Sequence, residues 1–256
     1  MRELFSLVGR VAIVTGGNGG IGKGIVRGLA SRGCDIIIAA RNRSKTDDAA
    51  REIREAFGVQ VLGLQVDVTR EDEIRAMIRQ AVESLGRIDI LVNNAGMNRP
   101  KMPQEYAISE WDEIMAVNLR SAFLCSREVY PVMKASGAGK IINIGSMLSM
   151  FGLGMASIYG ASKGGIVQLT RGLAVAWAPD NIQVNAILPG YINTDLTLRL
   201  RQNVSTLNER VLSRTPAARW GEPDDLAGAA VFLASPAADF VTGVALPVDG
   251  GFSIMV

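Results

Sequence analysis

The sequence predicts an α/β fold in which one parallel sheet of about seven strands is covered by helices on both faces. Two patterns indicate this fold. Short, almost continuously apolar runs alternate along the chain with longer segments whose apolar residues recur at helical spacing. Strands that are buried on both faces have this continuous apolar character. In addition, a glycine-rich segment directly follows the first apolar run.

Each strand and helix is predicted from its own local pattern. Runs rich in β-branched residues are predicted strands at 10–15, 35–40, 59–66, 88–93, 140–144, 182–188 and 244–248. Amphipathic segments are predicted helices at 20–32, 44–57, 71–85, 109–135, 158–178 and 224–234. A further helical segment at about 193–213 is expected to cap a substrate pocket. The alternation predicts a doubly wound (Rossmann) sheet, whose ligands bind beyond the carboxyl ends of the strands.

Composition limits the domain count and the partners. The 256 residues contain no linker, repeat or low-complexity run, so one domain is predicted over 1–256. Charged residues are spread evenly with a net charge of +2, which argues against a nucleic-acid partner. No apolar window is long enough to predict a membrane span. With only Cys34 and Cys125, no disulfide framework is expected, and the reduced cytoplasm is the predicted location.

The sequence contains 0 histidines. This absence excludes a serine–histidine hydrolase, a histidine-ligated zinc enzyme and a histidine general base. No metal site is predicted. Acid–base chemistry must therefore use tyrosine, lysine or carboxylate side chains.

The glycine-rich segment has the sequence Thr15-Gly16-Gly17-Asn18-Gly19-Gly20-Ile21-Gly22 and lies between the first predicted strand and the first predicted helix. Glycines permit a tight turn and a close approach of the backbone to a ligand. The amino end of the following helix attracts phosphate groups. A glycine-rich turn without a ligand is the alternative, but the flanking strand and helix favour a dinucleotide phosphate site.

The residues after the second strand bear on the choice of nicotinamide cofactor. A fold of this type that prefers NAD carries an acid there, which binds the ribose 2′-hydroxyl. Here the position holds Ala40, and the next residue, Arg41, can pair with a 2′-phosphate. NADP is therefore the predicted cofactor; NAD is the alternative, with Arg41 a solvated loop residue. Asp67 and residues 93–96 are expected to line the adenine and ribose cleft.

Candidate catalytic residues follow the fifth strand. Ser146 lies at its carboxyl end, and Tyr159 and Lys163 lie four residues apart on one face of the next predicted helix. A tyrosine has an ordinary pKa of about 10, and a neighbouring ammonium is expected to lower it toward neutrality. Tyrosine–lysine pairs at this spacing also occur on solvated helices. The glycine turn and Ser146 favour the catalytic interpretation.

Together these residues resemble the short-chain dehydrogenase/reductase family over essentially the whole chain. The matching motifs are Thr15-Gly16-x-x-x-Gly20-Ile21-Gly22, Asp67-Val68, Asn93-Asn94-Ala95-Gly96, Asn118, Ser146, Tyr159-x-x-x-Lys163 and Pro189-Gly190. The resemblance implies an NAD(P)-dependent oxidoreductase that interconverts a secondary alcohol and a ketone, with Tyr159 as general acid and base. It implies a cofactor site formed by Gly16, Asn18, Gly20, Ile21, Gly22, Arg41, Asp67, Val68, Asn94, Ala95, Gly96, Tyr159, Lys163, Pro189, Gly190, Ile192 and Thr194.

The resemblance also implies individual roles. Ser146 would orient the substrate oxygen, Lys163 would bind the nicotinamide ribose, and Asn118 would hold a water in a proton relay. Ile192 and Thr194 would contact the nicotinamide amide. One residue departs from the NADP-preferring pattern, because Gly19 stands where such members often carry a basic residue, and NAD therefore stays open.

Segments 95–99, 141–149 and 215–221 resemble one branch of the family, the gluconate 5-dehydrogenases and 2-deoxy-D-gluconate 3-dehydrogenases. A sugar acid carries a carboxylate, which Arg99 or Lys101 is expected to bind unless both are solvated. The apolar residues Met147, Leu148, Leu153 and Met155 would form the opposite wall and suit a bulkier ketone better.

Two other functions remain open at this stage: a 3-oxoacyl carrier-protein reductase or broad ketone reductase, and a cofactor-sensing protein without turnover. The resemblance implies a homotetramer, with helices 109–135 and 158–178 at an interface. The apolar tail 252–256 is expected to be buried against a neighbouring subunit.

Overall fold

The computed structural model describes residues 3–195, 197–198, 201 and 206–255. Within them the chain forms a seven-stranded sheet, with all its paired strands parallel, in the order β3-β2-β1-β4-β5-β6-β7. The strands are β1 Val11–Thr15, β2 Asp35–Ala40, β3 Val61–Gln65, β4 Ile90–Asn93, β5 Gly139–Ile144, β6 Ile182–Pro189 and β7 Ala245–Val248. The predicted doubly wound fold is confirmed, and each predicted strand lies within two residues of an observed one.

The helices flank the sheet. They are α1 Gly20–Ala30, α2 Arg43–Phe57, α3 Glu71–Leu85, α4 Ile108–Met115, α5 Ser121–Ala135, α6 Ser157–Trp177, α7 Leu207–Arg214 and α8 Ala227–Ala234. A 3-10 turn at Pro223–Leu226 forms the start of the segment predicted as helix 224–234. Of the predicted capping segment 193–213, residues 196, 199–200 and 202–205 lie outside the described residues.

The long helix predicted at 109–135 is interrupted. Between α4 and α5 the chain makes a π turn over Ala116–Arg120, in which the Ser121 N–H bonds to the Ala116 carbonyl. A π turn holds one residue more than an α turn, and such turns frequently mark functional sites. This turn contains the buried residue Asn118.

Alternation along the strands divides the core between the two faces of the sheet. In β1, Ala12 and Val14 pack toward α1, α2 and α8, whereas Val11 and Ile13 pack toward α3, α5 and α6. Successive strand side chains point to opposite faces, so a strand with helices on both sides must be apolar throughout. This requirement explains the continuous apolar runs in the sequence.

Two of the helices that lead to the amino edge of the sheet end in glycines with left-handed backbone. α2 ends at Gly58 with φ 69°, and α3 ends at Gly86 with φ 77°. Glycine adopts this backbone at no steric cost, and its N–H donates to a carbonyl of the last helical turn, that of Arg54 or Val82. The opposite, carboxyl edge of the sheet carries the glycine-rich turn.

That turn depends on a close backbone approach at Gly22. A Cβ at this position would collide with the Gly16 carbonyl oxygen and lie 2.5 Å from Asn94 Nδ2. Gly16 itself has φ 65°. The first turn of α1 therefore packs directly on the end of β1, and only a residue without a side chain fits.

We expect Gly22→Ala to lower the free energy of unfolding by about 1–3 kcal/mol, because backbone atoms must move to accept the methyl group. Gly228→Ala is the matched control, since a Cβ at that helical position meets nothing within 4 Å. The control should keep the wild-type stability or raise it by up to about 1 kcal/mol, because alanine favours a helix more than glycine does. Urea unfolding of both variants measures the effect, and equal stabilities would contradict the steric argument.

Candidate active site

Hydrogen bonds from the end of β4 fix the glycine turn. The Thr15 hydroxyl accepts the backbone N–H groups of Asn94 at 3.0 Å and Ala95 at 3.1 Å. The Asn94 side-chain amide donates to the carbonyl oxygens of Thr15 at 2.9 Å and Gly16 at 3.2 Å. Asn94 and Thr15 thus hold the first and fourth strands in the relation that shapes the turn.

A cleft of about 320 Å³ opens at the carboxyl ends of β1, β2 and β3. It brings together many of the residues predicted to bind a cofactor, namely Gly16, Asn18, Arg41, Asp67, Val68, Ala95 and Gly96. Ala40 and Lys45 also line it. The cleft lies in front of the amino end of α1, where phosphate groups bind favourably.

The polar groups of the cleft are held in place. The Asp67 carboxylate accepts the Thr69 N–H at 2.9 Å and the Thr69 hydroxyl at 2.8 Å. Burial opposes ionisation of Asp67, but the hydrogen bonds from Thr69 and the nearby Arg41 charge bring its pKa below the usual range. The Asn18 amide donates to the Thr46 hydroxyl at 3.0 Å. Asp67 is therefore an ionised acceptor at neutral pH.

The segment after β6 lies against the glycine turn. A Cβ at Gly20 would lie 3.2 Å from Thr194 Cγ2, and one at Gly190 would lie 2.7 Å from Asp249 Cα. Ile192 is buried and pairs with Gly221 in an isolated bridge. The segment that follows Pro189 thus packs against the glycine turn at the carboxyl edge of the sheet.

Ser146, Tyr159 and Lys163 meet at the carboxyl end of β5. The Lys163 ammonium donates to the Ile144 carbonyl at 2.7 Å and lies 5.7 Å from the centroid of the Tyr159 ring. The Ser146 side chain is hydrogen-bonded to the Tyr159 phenol. Its hydroxyl also accepts the Leu148 N–H at 3.1 Å. The three predicted catalytic side chains therefore form one cluster.

Asn118 connects this cluster to the loop after β4. Its amide donates to the Met97 carbonyl at 2.9 Å and to the Ser162 hydroxyl at 3.0 Å, and its oxygen accepts the Met97 N–H at 2.8 Å. Ser162 in turn donates to the Tyr159 carbonyl at 2.7 Å. The π turn therefore places Asn118 where it ties the β4 loop to the helix that bears Tyr159.

Burial governs the pKa values of Lys163 and Tyr159. It lowers the pKa of Lys163 to about 8. Burial also raises the pKa of Tyr159 above its ordinary value, and the hydrogen bond from Ser146 opposes this shift without cancelling it. The lowered tyrosine pKa expected from the sequence is therefore wrong, because desolvation outweighs the hydrogen bond from Ser146.

The predicted substrate residues differ in their environments. Arg99 is 2.8 Å from a Glu113 carboxylate oxygen, and Lys101 is 2.7 Å from Glu110. Met147 is buried in the core, Leu148 is partly buried and Leu153 is exposed. Both candidate cations thus already have carboxylate partners.

Sequence analysis missed several supporting residues. The Ser149 hydroxyl donates to the Lys163 carbonyl at 2.8 Å and accepts the Ser146 N–H at 3.2 Å. Ser162 and Thr15 bridge elements in the same manner. Their hydroxyl groups form local contacts that no spacing in the sequence indicates.

The described residues contain no group of histidine, cysteine, aspartate and glutamate side chains that could hold a metal ion. Among those residues, no helix combines the length and the apolar character that crossing a membrane requires. A doubly wound sheet with a glycine turn and a Ser–Tyr–Lys cluster at its carboxyl edge defines a nicotinamide-dependent oxidoreductase.

Comparisons with known proteins agree. A family profile described as enoyl-(acyl carrier protein) reductase matches residues 16–253. The chain is 44% identical over 249 residues to 2-dehydro-3-deoxy-D-gluconate 5-dehydrogenase of Escherichia coli, covering 97% of each protein. It is 42% identical over 256 residues to the 5-keto-D-gluconate 5-reductase of Escherichia coli, covering 100% of each.

Solved structures give the same result. A gluconate 5-dehydrogenase from Burkholderia cenocepacia, in complex with NADP and tartrate, superposes with a TM-score of 0.94 at 40% identity, covering 99% of each chain. The present chain therefore belongs to the short-chain dehydrogenase/reductase family of NAD(P)-dependent oxidoreductases.

The buried ammonium of Lys163 predicts a pH-dependent contribution to stability. Because folding lowers its pKa from 10.5 to about 8, the unfolded chain binds more protons than the folded chain between these values, and stability rises with pH there. Relative to Lys163→Met, the wild-type free energy of unfolding should increase by about 1–3 kcal/mol across this window.

Urea unfolding at several pH values measures this effect. Lys23→Met is the control, because the Lys23 ammonium is partly exposed and paired with Glu52 at 2.6 Å. The stability difference between wild type and this control should change little over the same window. If the two lysine variants gave equal pH slopes, the burial argument for Lys163 would be wrong.

Proposed function

We propose that this single-domain chain is an NADP-dependent oxidoreductase that interconverts a secondary alcohol and a ketone on a gluconate-type sugar acid. The observation that carries the proposal is the Ser146–Tyr159–Lys163 cluster beside the glycine turn. The relatives named above are dehydrogenases and reductases of gluconate derivatives, which supports the substrate class.

Each member of the cluster has a chemical role. The Ser146 hydroxyl donates to the substrate oxygen, and the Tyr159 phenol gives a proton to the forming alkoxide or takes one from the alcohol. Lys163 binds the nicotinamide ribose, and its link to Ile144 sets its position. Asn118 holds a water in the proton relay. When bound, the nicotinamide ring supplies or accepts the hydride.

The raised pKa of Tyr159 determines which protonation state this phenol has at neutral pH. A phenol whose pKa is held above its ordinary value is protonated at neutral pH. A protonated phenol is ready to donate to a ketone oxygen, whereas oxidation first needs the phenolate. In the chain without cofactor, Tyr159 is therefore a proton donor at neutral pH.

The residues of the cleft fit NADP. Gly16, Gly20 and Gly22 allow the pyrophosphate to approach the amino end of α1. Arg41 lies at the mouth of the cleft, after Ala40, and is proposed to pair with the 2′-phosphate. The Burkholderia cenocepacia structure contains NADP, which supports this choice over NAD.

The substrate carboxylate is proposed to bind at Arg99. This side chain is 44% exposed; it pairs with Glu113, which is 41% exposed, at 2.8 Å and lies 3.7 Å from the more buried Glu110. An exposed ion pair contributes little free energy, so a substrate carboxylate can replace it at small cost. Leu148 and Leu153 are proposed to form the opposite wall.

A second candidate, a 3-oxoacyl carrier-protein reductase or broad ketone reductase, is favoured by two observations. The matching family profile is described as an acyl carrier protein reductase. The predicted wall, which includes Leu148 and the exposed Leu153, is apolar. A cofactor-sensing protein without turnover is disfavoured, because the complete cluster is assembled.

We further propose a homotetramer in the cytoplasm. Ile108 on α4 is 78% exposed and Val175 on α6 is 79% exposed, an arrangement that a second subunit would relieve. In the tail, Phe252 packs on Tyr191 within the chain, whereas Ile254 is 82% exposed. Burial raises the pKa of the Cys125 thiol to about 12, consistent with an inert thiol in a reducing compartment.

Tyr159→Phe tests the proposed acid–base residue. Removing the phenol hydroxyl should lower kcat about 10²–10⁴-fold, the usual contribution of general acid–base catalysis, while NADP binding is retained. Tyr130→Phe is the control, because the Tyr130 hydroxyl donates to Asp180 at 2.6 Å, away from the cluster. Unchanged kcat in the Tyr159 variant would overturn the assignment.

A substrate panel tests the substrate class. Gluconate, 2-deoxygluconate, an acetoacetyl thioester and simple ketones should each be assayed with both nicotinamide cofactors. We expect turnover of a gluconate derivative with NADP. Activity with the thioester alone would reject the sugar-acid assignment and establish the second candidate.

A further inference from the structure

Lys45 belongs to α2, but its ammonium lies beside the glycine turn. It lies in the first turn of that helix, where its N–H donates to the Asn42 side chain at 3.0 Å. Its ammonium extends back over the glycine turn, 2.9 Å from where a Cβ at Gly19 would be. A helix residue thus places a cation at a position of the turn that itself bears no side chain.

Lys45 shares one cleft with Arg41. Both residues line the cavity at the carboxyl end of β2, together with Asn42 and Ala40. Lys45 also lines the adjoining pocket formed between α1 and α2. The ribose edge of the cleft is therefore flanked by cations from two directions, the loop after β2 and the first turn of α2.

Other charges near this edge have partners of their own. Lys23 is 2.6 Å from Glu52, and Arg43 is 2.7 Å from Asp47. The acid that lines the cleft, Asp67, accepts the two hydrogen bonds of Thr69. The paired cations Lys23 and Arg43 are therefore less available to an anion beside Arg41, whereas the Asp67 carboxylate, which interacts with the Arg41 charge, would repel that anion.

Lys45 itself is paired with Asp195, at 3.2 Å, in the segment after β6. The pair is open to solvent, since the side chains are 50% and 77% exposed. An exposed pair with a single carboxylate is weak. A phosphate monoester carries about two negative charges and three acceptor oxygens, so it attracts the same ammonium more strongly.

We propose that Lys45 binds the 2′-phosphate of NADP together with Arg41 and determines the preference for NADP over NAD. This inference rests on the proposed NADP dependence and adds the second cation to that site. Binding exchanges the Asp195 carboxylate for a phosphate oxygen at the Lys45 ammonium. Asp195 is therefore a competitor of the cofactor and not a part of its site.

Binding of two nucleotide fragments to the full chain tests the proposal without any turnover. Isothermal titration calorimetry compares adenosine 2′,5′-bisphosphate with AMP, which lacks the 2′-phosphate. Lys45→Met should weaken bisphosphate binding about tenfold, as expected for a lost hydrogen bond between charged groups. AMP binding should stay unchanged in this variant, which also shows that the variant is folded.

Three further variants separate the proposal from a structural role of the ion pair. Lys45→Arg should keep the preference for the bisphosphate. Asp195→Asn should bind the bisphosphate as tightly as the wild type or more tightly, because it frees the ammonium. Lys23→Met, which removes a neighbouring lysine outside the cleft, should behave as the wild type.

The outcomes are distinct. If the wild type does not prefer the bisphosphate to AMP, the NADP assignment itself fails. If it does, but Lys45→Met has the same preference, the role of Lys45 fails while NADP dependence stands. Equal weakening by Lys45→Met and Asp195→Asn would mean that the ion pair only holds the two segments together.

Discussion

The hydrogen bond from the Lys163 ammonium to the Ile144 carbonyl is the contact on which the arrangement of the site depends. A buried ammonium is costly unless its protons are satisfied, so this 2.7 Å bond fixes α6 against the carboxyl end of β5. Ser149 adds a bond to the Lys163 carbonyl and receives the Ser146 N–H. The strand, the serine loop and the tyrosine helix are thereby held in one geometry.

A second set of buried polar contacts, which joins β4, β5 and α6, supports the same geometry. Asn93 donates to Asn143 at 2.8 Å across β4 and β5, and Asn143 donates to Thr170 on α6 at 2.9 Å. Thr170 lies two helical turns beyond Lys163. Because an unpaired buried amide is costly, a shift of α6 along the sheet would break these bonds as well. These hydrogen bonds therefore favour one position of α6, the helix that bears Tyr159, along the sheet.

The sequence was sufficient to predict the fold and the meeting of Ser146, Tyr159 and Lys163. Continuous apolar runs fix where strands lie, and loops at the carboxyl edge of a doubly wound sheet must meet, so Ser146 and Tyr159 could be placed together. The π turn at Ala116–Arg120 could not be predicted, since its residues fit the helical pattern. The raised pKa of Tyr159 was also missed, because desolvation depends on burial in three dimensions.

The same limit applies to ion pairs. That Arg99 faces Glu113, and that Lys45 reaches across to Asp195, depends on how separate segments pack together. Local spacing holds no information about such contacts. Lysine and arginine residues that the sequence does not distinguish therefore differ in the structure by the carboxylates with which they pair.

The π turn between α4 and α5 affects which way each of these two helices faces. An extra residue in a regular helix would rotate everything that follows by about 100°, turning the buried stripe of α5 toward solvent. Here the additional residue is absorbed within five positions, so the segments before and after it keep independent facings. The face that α4 presents is therefore set separately from the stripe that α5 buries.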